Sequence, residues 1–251
     1  MNQSETIIET PDGPMTCSVT RPDGPGPFPA VIQFMDAGGL RDELRTMASR
    51  YAETGVVVIT PDLFHRFGEG IGYDPKVAFA PGGDEHRAEM FATLGRLTDD
   101  MILTDATAVI NHLAQDDSIA DGPTGCVGYC LGGRAVVRTM AAFSDQMAAG
   151  SALHPSHLMN DNPDCAINDV PEIDGEMYFG FGGKDELTPP ALIEAVREKL
   201  AAGEVENTID ITPDADHGFT MPGWPQRYNP AADALHWDRT LDLFKRRLVA
   251  A

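Results

Sequence analysis

A cysteine between closely spaced glycines is the residue of this chain best suited to covalent chemistry. Residues 128–133 read GYCLGG, the nucleophile-elbow pattern G-x-S-x-G with Cys130 in place of serine. The nucleophile of an elbow sits in a sharp turn that needs small residues two positions before and after it, and Gly128 and Gly132 supply them. The dipole of a following helix would favour the thiolate, and the amide N–H of Leu131 would face a developing oxyanion. The alternative is a buried structural cysteine in a glycine-rich turn.

Two later segments could complete a catalytic triad. Asp185 follows the apolar run 177–181, and His217 lies in a loop after the run 208–212. In enzymes with a nucleophile elbow, the chain order is nucleophile, acid and histidine, and Cys130, Asp185 and His217 follow that order. Cys130 would attack a carbonyl carbon, His217 would carry the proton, and Asp185 would orient the imidazole.

Other residues compete for the same roles. Asp214 and Asp216 lie within three residues of His217 and are the alternative acids, because Asp185 could be a turn residue on the surface. The remaining histidines lie in other loops or helices: His65, His86, His112, His154, His157 and His236. The four cysteines and the histidines show no zinc-type spacing, so neither a metal site nor a disulfide is predicted.

Short β-branched runs that alternate with amphipathic stretches must position these residues. This pattern predicts an α/β fold, with a mainly parallel central sheet, helices on both faces and an N-terminal antiparallel hairpin. Residues 62–83 read as an irregular stretch that could form a lid or pocket wall. The strands are predicted over residues 6–9, 16–20, 30–34, 56–60, 124–128, 151–153, 177–181 and 208–212. The helices are predicted over residues 43–53, 99–115, 133–143, 190–202 and 231–249.

Composition narrows the classes of partner. The chain has 251 residues, long enough for the single domain over residues 1–251 that we predict. Its formal net charge of −21 would repel nucleic acids and anionic membranes, so neither is an expected partner. The first ten residues have no basic start or apolar run, and no stretch is apolar for about 18 residues. We therefore expect a cytoplasmic protein, either a monomer or a homodimer.

The segments around the three triad candidates resemble the dienelactone hydrolase (carboxymethylenebutenolidase) family. GYCLGG surrounds Cys130, FGGKDELTPP contains Asp185, DADHGF contains His217, and PDLFHR over residues 61–66 is also similar to a family segment. The resemblance extends from about residue 30 to residue 248. It implies an α/β-hydrolase fold and hydrolysis of small esters or lactones by a Cys-His-Asp triad through an acyl-enzyme, without cofactor or metal.

The resemblance also assigns roles around the triad. Asp36 stands where well-studied members carry a glutamate that contacts the resting thiol, so it would tune the thiol's protonation; otherwise it caps the following helix. The amide of Ala37 would be the second oxyanion donor. Dienelactone-cleaving members bind a substrate carboxylate with two arginines, and no arginine follows His217 directly. Arg87 and Arg134 are then the candidate substrate-binding residues. Several aromatic residues could line an apolar pocket: Phe64, Phe67, Tyr73, Phe79 and Trp224.

Two other functions remain open from the sequence. A thioester or acyl hydrolase would use the same triad. A hydrolase fold without catalysis could bind a ligand or sense oxidants through Cys130. A redox sensor would require a resolving cysteine, and Cys126 is close in sequence but is predicted to lie on a strand. The intact set of cysteine, aspartate and histidine favours an enzyme.

Overall fold

An antiparallel hairpin opens one eight-stranded sheet in the computed structural model, which describes residues 1–160 and 162–249. The hairpin pairs with the rest of the sheet in antiparallel fashion, and every later pairing is parallel. The spatial order is β1-β2-β4-β3-β5-β6-β7-β8. The strands are β1 (Asn2–Thr10), β2 (Gly13–Arg21), β3 (Ala30–Phe34), β4 (Val57–Pro61), β5 (Thr124–Tyr129), β6 (Met147–Leu153), β7 (Glu176–Gly182) and β8 (Asn207–Thr212).

Helices cover both faces of the sheet. They are α1 (Asp42–Ala52), α2 (Pro75–Ala78), α3 (Asp84–Leu94), α4 (Asp99–Leu113), α5 (Leu131–Ala142), α6 (Pro190–Ala202) and α7 (Pro230–Phe244). Helices α1 and α7 meet through the rings of Tyr51 and Trp237, whose centroids are 4.5 Å apart. Helix α5 contacts α4 and the 3₁₀ helix Ala166–Glu172, which also contacts α6. The two groups of helices shield the apolar strands from water.

The central strands consist of continuous apolar runs because both of their faces are covered. All residues of β3, β4 and β7 are buried. The carboxyl ends of the parallel strands β3, β5, β6, β7 and β8 lie at one edge of the sheet, where α/β proteins place their ligands. The predicted fold class, including the N-terminal hairpin, is confirmed. The single domain over residues 1–251 stays a prediction.

Two predicted stretches differ from the structure. The stretch 62–83 contains a 3₁₀ helix (His65–Phe67) and α2, and it leads into α3, which was not predicted. The predicted last helix, 231–249, ends as α-helix at Phe244 and continues as a π-helical turn over Lys245–Val249. Within residues 1–160 and 162–249, no helix is both long enough and apolar enough to cross a membrane.

Candidate active site

Cys130 occupies the turn between β5 and α5 in a backbone conformation that few non-glycine residues adopt. Its φ is 56° and its ψ is −115°. The turn tolerates no side chain at the two glycines. A β-carbon on Gly128 would lie 2.0 Å from the carbonyl oxygen of Gly132, and one on Gly132 would lie 2.5 Å from that of Phe34. The predicted nucleophile elbow is therefore a close-packed turn, with a half-buried thiol at its apex.

Asp185 and His217 come from the two loops that follow β7 and β8. The Nδ1 of His217 lies 2.9 Å from Oδ2 of Asp185, and the Asp185 side chain is buried. The amide of Leu187 donates to the other carboxylate oxygen at 2.8 Å, which holds the acid in place. Because Nδ1 is bound to Asp185, Nε2 is the ring nitrogen that remains to exchange a proton with Cys130.

The two alternative acids have other partners. Asp214 pairs with Lys184, with 3.0 Å between Nζ and Oδ1, and is exposed. Asp216 accepts a hydrogen bond from the amide of His217 at 2.8 Å, and its second oxygen pairs with Arg227. Neither carboxylate hydrogen-bonds the imidazole of His217 among the contacts of the described residues, so the geometry favours Asp185 as the orienting acid.

The thiol and the imidazole shift each other's protonation. Burial raises the pKa of the Cys130 thiol, but the charge of His217 and the neighbouring His217 and Ser156 donors outweigh it, so that pKa lies below its ordinary value. Burial lowers the pKa of His217, whereas Cys130 and Asp185 more than compensate and hold it above its ordinary value. Both shifts favour a thiolate–imidazolium pair.

The loop after β6 brings one side chain to the thiol and another to the His217 imidazole, and the sequence suggested neither contact. Ser156 is 1% exposed, and its Oγ lies 3.5 Å from Sγ of Cys130. His154 is also buried, with its ring centroid 5.1 Å from that of His217. His154 and His157 both have positive φ, so this short loop adopts a strained backbone beside the nucleophile. A signal was available, because the loop follows the strand next to the elbow strand.

His154 differs from His217 in its charge state. Its Nε2 lies 2.8 Å from Oγ1 of Thr220. Burial, followed by repulsion from His217 and His236, holds the pKa of His154 well below its ordinary value. His154 is therefore neutral where His217 is protonated. It packs against the His217 imidazole without competing for its proton.

Asp36 and Cys130 line one cavity, but the carboxylate of Asp36 binds an arginine. Arg41 contacts both oxygens of Asp36, with 2.9 Å between NH2 and Oδ2, and the amide of Gly38 donates to Oδ1 at 2.9 Å. Among the contacts of the described residues, no hydrogen bond joins Asp36 to Cys130. The expected contact with the thiol is replaced by this ion pair. The charge of Asp36 raises the pKa of Cys130, by less than burial raises it and by less than His217 and Ser156 lower it.

The Arg41 side chain extends this network to a distant loop. Its guanidinium also binds Glu43, with 2.6 Å between NH2 and Oε2. The other carboxylate oxygen of Glu43 accepts a hydrogen bond from the amide of Gly223. The segment that follows β3 is thereby connected to the loop that follows His217.

The two expected oxyanion donors flank the elbow. Leu131 is the first residue of α5, so its amide has no partner one turn earlier within the helix. Ala37 follows β3, the strand adjacent to β5, and lines the cavity together with Cys130. The oxyanion-donor roles of Leu131 and Ala37 stay predictions.

A cavity of about 450 Å³ opens onto the three triad candidates. Of the aromatic residues expected in its wall, Phe79 and Trp224 line it. Phe64 is fully buried in the core, and Phe67 and Tyr73 pack against that core. The other apolar lining residues are Pro75, Met90, Phe91, Leu94, Leu187 and Met221. Helices α2 and α3, from the part of the chain with the weakest sequence signal, thus supply much of the wall.

Neither Arg87 nor Arg134 lines this cavity. Arg87 pairs with Asp84 in its own helix and donates to the carbonyl oxygen of Ala78 at 3.1 Å. Arg134 points to Asp99, with 3.0 Å between Nε and Oδ1. Each arginine has a carboxylate partner, so this cavity gives no support to their assignment as substrate-binding residues, which stays a prediction. The cations in the lining are instead Lys184 and Arg227, which the sequence analysis did not consider. Across residues 1–160 and 162–249, no group of three or more His, Cys, Asp or Glu side chains is arranged to hold a metal ion.

The match to known proteins spans nearly the whole chain. The sequence profile of the dienelactone hydrolase family matches residues 15–248. An Escherichia coli (strain K12) protein named putative carboxymethylenebutenolidase is 25% identical over 265 residues, covering 97% of this chain and 92% of that protein. The carboxymethylenebutenolidase of Rhodococcus opacus is 27% identical over 225 residues, covering 87% of this chain and 81% of that protein.

A solved structure shares the fold. The crystal structure of a putative dienelactone hydrolase from Klebsiella pneumoniae subsp. pneumoniae has a TM-score of 0.84 at 22% identity and covers 98% of both chains. The family resemblance and the hydrolase class expected from the sequence are confirmed. This chain belongs to the dienelactone hydrolase family.

Proposed function

We propose that this protein hydrolyses small carboxylic esters or lactones through an acyl-enzyme intermediate on Cys130. The observation that carries the proposal is the convergence of Cys130, His217 and Asp185 on one cavity, with His217 bound to Asp185 at 2.9 Å. The names of the relatives in E. coli and Rhodococcus opacus, which denote lactone hydrolysis, support the same reaction class. The residues supply a nucleophile, a proton carrier and two candidate oxyanion donors.

In the acylation half-reaction, the Cys130 thiolate forms a bond to the carbonyl carbon of the substrate. The carbonyl oxygen becomes an oxyanion and accepts hydrogen bonds from the amides of Leu131 and Ala37. As the oxyanion collapses, the C–O bond to the leaving group breaks and the His217 imidazolium protonates the departing alkoxide. An ester loses its alcohol at this step. A lactone keeps its alcohol tethered to the acyl group.

Deacylation reverses the roles. Neutral His217 removes a proton from a water molecule, and the oxygen of that water attacks the thioester carbon. Collapse of the second oxyanion breaks the C–S bond, so Cys130 leaves as a thiolate beside a protonated His217. The product is a carboxylic acid, which ionises at neutral pH. Each bond and each proton in the cycle is accounted for by Cys130, His217, the substrate and one water molecule.

An oxidant-sensing role has less support from the structure. Cys126 is fully buried on β5, and burial raises the pKa of its thiol. A buried, protonated thiol is a poor resolving partner for an oxidised cysteine. A thioester substrate, by contrast, would use the same residues as an ester.

Trapping the intermediate tests the proposal directly. p-Nitrophenyl acetate mixed with the protein should give a burst of nitrophenolate and an acetyl adduct that peptide mass spectrometry places on Cys130. Cys130→Ala should remove both signals and lower turnover by several orders of magnitude while the far-UV circular dichroism stays the same. Cys165→Ala, outside the cavity lining, is the matched control and should keep both signals. Turnover that survives Cys130→Ala, or an adduct on another residue, would refute the mechanism.

A further inference from the structure

An aromatic pair forms one wall of the cavity. The rings of Phe79 and Trp224 are stacked, with centroids 4.4 Å apart and an angle of 24° between their planes. At the cavity lining, Phe91 is 52% exposed and Leu187 is 46% exposed. Large apolar side chains that remain this exposed in a concave site offer a surface for an apolar group of a ligand.

The aromatic wall adjoins the catalytic imidazole. A β-carbon on Gly218 would lie 2.7 Å from Cε3 of Trp224, so the indole rests directly on Gly218. Gly218 follows His217 in the chain and has a φ of 85°, a conformation that favours glycine. A flat group bound against the Phe79–Trp224 pair would therefore lie next to the group that transfers the proton.

The charges in the lining are paired, with one exception. Both lining cations have carboxylate partners, since Lys184 pairs with Asp214 and Arg227 pairs with Asp216. The buried lining acids are also paired, because Asp36 binds Arg41 and Asp185 binds His217. The remaining acid is Glu186. It is exposed and makes no ion pair or hydrogen bond through its side chain with another described residue.

A carboxylate entering this cavity would meet an unpaired negative charge and no free cation among the described lining residues. Burying an ion without a partner is unfavourable, and a carboxylate held by a charge-assisted pair gains about 1.5–3 kcal/mol, or roughly 10- to 150-fold in affinity. A neutral group avoids that requirement.

We propose that the cavity selects neutral esters or lactones that carry an aromatic or other flat apolar group, which lies against the Phe79–Trp224 pair, and that Glu186 disfavours substrates bearing a carboxylate. The inference rests on the ester or lactone hydrolase function proposed above.

The charge selection is tested with a matched pair of substrates, dihydrocoumarin and a ring-carboxylated dihydrocoumarin. The wild-type protein should hydrolyse the neutral lactone with a kcat/KM at least about tenfold higher. Glu186→Lys should narrow that ratio by about threefold or more. Glu198→Lys, an exposed acid on α6, changes the net charge equally and should leave the ratio unchanged. A wild-type preference for the carboxylate, or equal shifts in both variants, would overturn the charge selection.

The aromatic wall is tested with dihydrocoumarin beside δ-valerolactone, which lacks the fused ring. Phe79→Leu and the more exposed Phe91→Ala should each lower kcat/KM for dihydrocoumarin about three- to tenfold more than for δ-valerolactone. If both variants lose the same fraction of kcat/KM for the two lactones, the proposal that the aromatic wall binds the fused ring is wrong.

The outcomes separate the two proposals. If the wild-type protein hydrolyses none of these lactones and Cys130 is not acylated by p-nitrophenyl acetate, the proposed function fails. If the lactones are hydrolysed through Cys130 but the carboxylate or the aliphatic ring is preferred, only the substrate selection fails.

Discussion

Ser156 contacts Cys130 through both its own backbone and its own side chain. Its amide donates to the carbonyl oxygen of Cys130 at 3.0 Å, and its Oγ lies 3.5 Å from Sγ. The first contact fixes the β6 loop against the elbow. The second places a hydroxyl where it donates to a thiolate, which helps to lower the pKa of Cys130.

Removing this hydroxyl should make the thiolate less stable. We expect Ser156→Ala to raise the pKa of Cys130 and to lower kcat/KM by about tenfold, because a hydrogen bond to a charged group is worth roughly 1.5–3 kcal/mol. The pH dependence of iodoacetamide alkylation measures that pKa. Ser156→Thr keeps a hydroxyl and should restore much of the wild-type profile. An unchanged alkylation profile in Ser156→Ala would show that the hydroxyl is only a packing group.

The plot of kcat/KM against pH should have a broad plateau between its acid limb and its alkaline limb. The Cys130 thiolate is lost as pH falls through a pKa below the ordinary thiol value, so the acid limb lies below that value. The imidazolium is lost as pH rises through a His217 pKa above the ordinary histidine value, so the alkaline limb lies above that value. Both limbs belong to the coupled pair. Measuring kcat/KM from pH 4 to 11 checks this, and an acid limb at the ordinary thiol pKa would contradict it.

Substitution of Asp185 should lower kcat far more than substitution of Asp216. Asp185→Asn removes the anion that orients Nδ1, and the equivalent loss in triad hydrolases reaches about 10⁴ in kcat. Asp216→Asn breaks only the pair with Arg227 and should change kcat by less than about tenfold. Turnover of p-nitrophenyl acetate, with circular dichroism as the folding control, compares them. The reverse ranking would make Asp216 the triad acid.

Substitution of Arg41 and substitution of Asp36 should shift the pKa of the Cys130 thiol in opposite directions. Arg41→Gln leaves the Asp36 carboxylate unneutralised near Cys130 and should raise the pKa of that thiol. Asp36→Asn removes the charge and should lower it. The same alkylation assay reports both values. Shifts of the same sign in the two variants would show that the pair acts through loop geometry instead of charge.

The elbow should be intolerant of a single methyl group. A β-carbon at Gly132 would lie 2.5 Å and 2.6 Å from the carbonyl oxygens of Phe34 and Met35, so Gly132→Ala should lower the free energy of unfolding by about 1–3 kcal/mol. Gly72→Ala is the matched control, because its β-carbon would meet only the Gly38 oxygen, at 3.4 Å. Urea unfolding measures both. Equal stabilities would mean that the elbow relaxes freely.

The parts of the molecule with strong local patterns were predictable from sequence. Buried parallel strands are continuous apolar runs, and the eight predicted strands all occur: β3 has the predicted bounds, and the ends of the others differ by up to four residues. Cys130, Asp185 and His217 could be selected because each follows such a strand. Helix α3 was missed because only Met90 and Thr93 are buried in it, so its apolar residues do not mark one helical face.

Contacts between segments that are distant in the chain were harder to predict from the sequence than the strands. Ser156 and His154 lie in the loop after the predicted strand 151–153, and only the place of that strand beside the elbow strand pointed to this loop. The partner of Arg134 depends on the packing of α5 against α4, and that of Arg87 lies one turn earlier in α3, a helix that was not predicted. The sequence pattern also does not specify the binding of Arg41 to Asp36, which changes the role expected for that acid.

A ribosome makes Cys130 well before it makes His217, because β6, β7 and β8 lie between them. Until the segment after β8 is in place, the thiol lacks the His217 imidazolium, which is the main influence that lowers its pKa in the folded protein. In the unfinished polypeptide, Cys130 therefore lacks the partner that favours its thiolate. The influence of His217 that favours the reactive thiolate therefore arises only after the last strand of the sheet has been made.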